Sequence, residues 1–158
     1  MAGEALAGPP TSAAATANYF LEKGWADAMV PPIDQMKLQK LLFYAHAWHL
    51  AIRDMPLFSD DFEAWPWGPV IRDIYYQTKE FRRDPIKKMV SRIVLTKEGR
   101  QSPLLEAVFE QPRVEDAQTR EFLDAVWDAH KEYTGIQLSN ATHSAGEPWA
   151  ISKTAMGT

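Results

Sequence analysis

Four histidines, twenty-one carboxylates and no cysteine are the material from which chemistry would have to be built in this chain. His46 and His49 stand three apart, a spacing that puts both rings on one helix face and could supply two ligands to zinc. A zinc site needs a third and a fourth ligand, and no His-Glu-x-x-His pattern is present. Packed or half-exposed imidazoles are therefore the expected reading of both. His143 lies beside Ser139 and Ser144, which brings a base near two hydroxyls. No Gly-x-Ser-x-Gly elbow accompanies them, and nearness in sequence is not triad geometry. A local hydrogen bond near the turn into Pro148 is the expected role. The eight glycines are scattered and form no phosphate-cradling loop. The carboxylates after Asp116 are spaced like a solvated helix face rather than an acid–base pair. The sequence thus assigns no catalytic residue, no metal and no cofactor, and the chain is expected not to be an enzyme.

The elements that carry these residues are mostly helical. A first helix is expected from Thr11 or Ser12 to about Gly24, capped by a hydroxyl and stopped by glycine. Pro31-Pro32 forces an extended connector. Asp34 can then cap a central helix over about 36–53, in which Leu38, Leu41, Leu42, Ala45, Trp48 and Ile52 recur at helical spacing. Lys37, Lys40 and Arg53 are expected to point away from that stripe. Residues 62–65 and 89–95 read as short strands, the second also compatible with a short helix. Pro69 suits the first turn of a helix over 69–81, with Ile71, Ile74, Tyr75 and Thr78 inward. A short helix is expected over 104–109. A longer one should run from about Asp116 to Tyr133, burying Phe122, Leu123, Val126, Trp127 and His130, with Gly135 as its stop. Ile136 to His143 reads as a further short helix, and Pro148 begins a last one. The fold class that follows is mainly α (α+β): a compact single-domain fold around the central helix, with a small antiparallel β element. Residues 1–10 are expected to form a flexible tail, and 11–158 a single domain.

At 158 residues the chain can bury a core without staples, and the absence of cysteine excludes disulfides and thiolate chemistry. No apolar run reaches the roughly 18–20 residues that span a bilayer. The N-terminal residues lack the basic and apolar regions of a secretory signal, so a cytoplasmic protein is expected. The net charge of −4 disfavours nonspecific nucleic-acid binding as the main task. Charge is segregated. Lys79 to Arg100 holds eight basic residues against three acidic, and Leu104 to Glu132 the reverse. This is the pattern either of two solvated faces or of steering toward a charged partner.

Six tryptophans complete the inventory. Trp48 and Trp127 fall on apolar helix faces and read as core. Trp65, Trp67 and Trp149 lie in proline-bounded segments, where they either close the fold by packing on one another or present a docking surface. The candidate partner-binding residues are Trp67, Arg82, Arg83, Lys87, Lys88 and Arg92.

Several motifs in order resemble the Panacea domain family, which includes the SocA-like antitoxins and phage-associated GepA-like proteins. They are Leu38-Gln39-Lys40-Leu41 running on to Trp48, Pro56-Leu57-Phe58, Trp65-Pro66-Trp67-Gly68-Pro69-Val70, Thr142-His143, and Pro148-Trp149. The resemblance spans about residues 15–150. Its shared residues (Leu38, Gln39, Lys40, Leu41, Trp48, Trp65, Gly68, Pro69, Thr142, His143, Pro148 and Trp149) would be the structural scaffold. Pro66 departs from the polar or basic residue expected before the aromatic-Gly-Pro step, and 79–113 is less typical. The resemblance implies a protein that binds and neutralises a cognate toxin. The overall pattern is closest to the adaptor type, which hands a SocB-like toxin, one that acts on the replication sliding clamp, to the ClpXP protease. The competing reading is a DNA-binding autoregulator, for which the basic segment is the only support.

Overall fold

The computed structural model describes residues 8–96 and 106–142. Nine regular elements follow in order: α1 (Ala13–Ala26), α2 (Gln35–Arg53), β1 (Glu63–Trp65), β2 (Gly68–Val70), α3 (Arg72–Thr78), β3 (Arg92–Thr96), β4 (Glu106–Glu110), α4 (Ala117–His130) and α5 (Gly135–Thr142). A short 3₁₀ turn, Lys79–Phe81, extends α3.

Three helices begin on side-chain caps. The oxygens of Ser12, Asp34 and Asp116 accept from the backbone amides of Ala15, Lys37 and Thr119, each three residues on. These bonds satisfy donors that a helix start leaves free. Asp54, in the left-handed conformation, ends α2, and its N–H returns to Leu50 O.

Helix α2 is the hub, touching α1, α3, α4, α5 and β2. Its first eleven residues are buried or nearly so, and Lys37 and Lys40 have no solvent exposure. The expected outward orientation of these two lysines is thus reversed. The apolar stripe also ends earlier than its period suggests: Trp48 is 41% exposed and Ile52 67% exposed. In the last turns of α2 His49 stays fully buried, while Trp48, Leu50 and Ile52 meet solvent. The alanines at the start of α1 are all buried, and Phe20, Leu21, Leu41, Leu123 and Trp127 fill the centre of the core.

The mainly helical class with a minor antiparallel component is as the sequence indicates. The strands over 62–65 and 89–95 belong, however, to separate hairpins. β1 pairs with β2, Trp65 opposite Gly68. β3 pairs with β4, Arg92 opposite Glu110. Two segments depart from the expected elements. Pro69 sits in β2, so α3 starts only at Arg72. The segment expected as a helix over 104–109 contributes strand β4, because pairing with β3 overrides a local composition that favours helix.

Gly135 opens α5 instead of stopping α4, which ends at His130. A Cβ at Gly135 would lie 2.7 Å from both Asp34 Oδ1 and Lys37 N, the two atoms of the α2 cap bond. Glycine is needed here because the backbone of α5 presses on the start of α2. Gly135→Ala is expected to lower stability by on the order of 1–2 kcal/mol through overpacking of that cap, read as a shifted denaturation midpoint.

Candidate partner-binding site

The tryptophan-rich hairpin is set by its own sequence and then clamped from behind. Pro66 and Trp67 are the two connecting residues between β1 and β2. Pro66 fixes φ at the second turn position, and Gly68 follows at φ 117°, a conformation that favours glycine. Lys40 Nζ donates to Trp67 O at 2.6 Å, and Ser139 Oγ donates to the same carbonyl at 3.1 Å. One carbonyl thus joins the hairpin to α2 and α5.

Gln39, on the preceding residue of α2, holds the end of the hairpin. Its Oε1 accepts from Ile71 N at 2.8 Å and its Nε2 donates to Ile71 O at 3.1 Å, a side-chain imitation of a strand partner. Gln35 Nε2 donates to Tyr75 O and Thr78 Oγ1 on α3. The run Gln35, Gln39, Lys40 therefore lays out the β1–β2–α3 unit along one side of the central helix.

Burial depresses the Lys40 ammonium to about pKa 8. Lys37 is held down to about 8 as well, by burial against a partial opposing effect of Asp34. Lys37 Nζ donates to Pro31 O and Lys131 O and lies 5.4 Å from the Trp127 ring centroid. An amine near pKa 8 is a recurrent nucleophile in enzymes. Here Lys40 has no solvent exposure and its ammonium is held on a backbone carbonyl, so the chemistry it performs is that of a clamp.

The hairpin presents its tryptophans unequally. Trp65 is half-buried, edge-on to Tyr75 at 4.8 Å and to Trp67 at 5.6 Å. Trp67 is 44% exposed. Trp65 packs against Trp67 and α3, and Trp67 faces outward. A groove of about 560 Å³ lies beside it, between the start of α2, the hairpin, the exposed Ile136 of α5, and Arg82 and Arg83.

The structure brings three of the six sequence-derived partner-binding candidates, Trp67, Arg82 and Arg83, to this groove. It does not bring the other three. Lys87 is exposed outside its lining. Lys88 pairs with Glu80, and Arg92 with its cross-strand neighbour Glu110. The Arg92–Glu110 pair joins the basic segment to the acidic one.

The histidines of α2 are packing groups. His46 lies against Phe58 at 4.5 Å, and burial, with the neighbouring His49, holds its pKa below the ordinary range. His49 is edge-on to Phe122, and its Nδ1 lies 2.7 Å from Met55 O, which requires the proton on Nδ1. Among the described residues no group of three or more histidine, cysteine or carboxylate side chains could hold a metal. His143, Pro148 and Trp149 lie outside the described residues, and Thr142 is the last residue of α5.

Two positioning residues carry no sequence signal of their role. Asn18, fully buried on α1, donates to Val90 O and Pro112 O and accepts from Val90 N. Ser139 reaches the Trp67 carbonyl from α5. Each is a short polar residue in a helix, and only its distant partner gives it a function.

The segments tied together by Gln39, Lys40 and Trp67 are also those matched by a family model. The model for the SocA-like antitoxin Panacea domain covers residues 38–150. This chain belongs to the SocA-like Panacea domain family. It is 32% identical over 146 residues to Antitoxin SocA of Caulobacter vibrioides (strain NA1000 / CB15N), an alignment covering 92% of this chain and 72% of that protein. No solved structure matches the chain. Leu38-Gln39-Lys40-Leu41 and Trp65 to Val70, which lie within the matched residues, are the clamp and the hairpin it holds. No helix among the described residues is long and apolar enough to cross a membrane.

Proposed function

We propose that this protein is the antitoxin of a toxin–antitoxin pair, which binds a cognate protein toxin and neutralises it by contact. The membership in the SocA-like family carries this reading. The geometry supports it: Gln39 and Lys40 clamp the tryptophan hairpin, while an exposed tryptophan and two arginines line an open groove. Exposed tryptophan and arginine are the residues that dominate protein-binding hot spots. In the finer form of the proposal, the antitoxin is an adaptor that passes a SocB-like toxin to ClpXP in the cytoplasm.

The test is co-expression with the product of the neighbouring reading frame. Growth arrest by that product alone, rescue by this chain, and co-purification of the two are the expected results. A product that is harmless alone, or that arrests growth equally in the presence of this chain, would refute the antitoxin reading. The adaptor form adds that the purified toxin is degraded by ClpXP only when the antitoxin is present. Degradation at the same rate without it would leave neutralisation by blocking.

A further inference from the structure

The turn that carries Arg82 and Arg83 is strained, and both residues line the groove. Asp84 N donates to Phe81 O at 2.8 Å, closing a four-residue turn with the two arginines at its centre. Arg82 adopts φ 53°, ψ −116°, the first central position of a type II′ turn, where glycine is preferred. A bulky residue in that conformation is costly and is held by its surroundings. Both arginines are exposed, and neither joins an ion pair among the described residues, although Glu80 and Asp84 are close in sequence.

The rest of the groove sorts by chemistry. Trp67, Ile136, Tyr75 and Val70 supply an apolar side. Its one carboxylate, Asp34, is committed to the α2 cap through Lys37 N. In a chain of net charge −4, this is a local basic and aromatic site.

We infer that the groove between Trp67 and the Arg82–Arg83 turn is the docking site for an acidic segment of the protein partner, in which one apolar side chain seats against Trp67 and Ile136 and flanking carboxylates pair with the two arginines. The inference deepens the antitoxin reading by naming the surface and the chemistry of what fills it. Charge complementarity selects the occupant: two unpaired guanidinium groups match carboxylates in fork geometry, and an apolar wall beside them favours a peptide over a phosphate backbone.

Random twelve-residue peptides displayed on phage are to be selected against the full chain, and the strongest binder resynthesised with a fluorescent label. Enriched sequences are expected to hold two or more Asp or Glu residues around an aromatic or branched aliphatic residue. Anisotropy should show binding weakened by about tenfold or more in the Arg82→Glu/Arg83→Glu variant. Arg82→Gly controls for folding. It relieves the turn, so its Tm should be unchanged or raised by about 2–4 °C, while affinity falls. Selection of basic peptides, no selection at all, or wild-type affinity in both variants would overturn the inference. Tighter binding to a labelled 20-nucleotide single strand than to the selected peptide would assign the groove to nucleic acid instead. Co-purification with the neighbouring frame's product keeps the two claims apart. If the charge-reversed variant still holds the toxin as tightly as the wild type, the groove is wrong and the antitoxin reading stands. If the wild type holds none, that reading falls, whatever the peptides do.

Discussion

Asn18→Leu is expected to lower the unfolding free energy by about 3–5 kcal/mol. The side chain is fully buried and makes three hydrogen bonds, at 2.7 Å from Val90 N and at 2.8 Å and 3.0 Å to Val90 O and Pro112 O. Leucine keeps the branched shape and leaves no cavity, so the loss carries no cavity term. Leaving a buried donor without a partner costs about 1–3 kcal/mol, and each further lost bond about 0.5–1.5 kcal/mol. The measurement is urea denaturation with the m-value compared, together with amide exchange at Val90, which should accelerate far more than exchange in α2. A loss below 1 kcal/mol, or uniform acceleration throughout the chain, would show that Asn18 is only one more packed residue.

Stability is also expected to rise on the alkaline side, by about 2–3 kcal/mol between pH 7 and pH 9. Lys37 and Lys40 each have a folded pKa of about 8, set chiefly by burial, against about 10.4 in an unfolded chain. Between those values the unfolded state holds more protons, so unfolding becomes less favourable as pH rises. Each lysine contributes on the order of 1 kcal/mol by pH 9. Tyr19 limits the gain. Its hydroxyl is shifted upward by burial and by its bond to Asp124, so the folded state keeps this proton when the unfolded state has lost it, and the contribution of this residue falls above about pH 10. His46 acts at the other end. Its depressed pKa means that stability complete above about pH 6.5 is lost as pH falls toward the folded value. Denaturation midpoints between pH 6 and 10 test the profile. Lys37→Met and Lys40→Met should each remove about half of the alkaline rise, and a flat profile in the wild type would contradict the buried-ammonium account.

Local rules were legible where a residue acts on its neighbours. Ser12, Asp34 and Asp116 cap the helices that follow them, and Phe122, Leu123, Val126 and Trp127 face inward at the period that announces them. Legibility failed where the partner is far away in sequence. Lys37 and Lys40 read as surface residues because lysine is seldom fully buried. Their ammonium groups are accommodated by the carbonyls of Pro31, Lys131 and Trp67, and no local pattern foretells that. Glu106 to Glu110 has a composition that suits a helix, and only its pairing with Arg92 to Thr96 makes it a strand. For the site, tryptophan content and charge pointed to Trp67, Arg82 and Arg83. The same criteria also selected Lys87, Lys88 and Arg92, because composition does not show which basic residues are already paired or face the groove.

Attachment of Val90 and Pro112 to one asparagine fixes both ends of the stretch between them at the same gate, so a change in its length need not re-lay the helices. Shortening or grafting that stretch should leave the helical body folded for as long as the residue at position 18 still closes the gate.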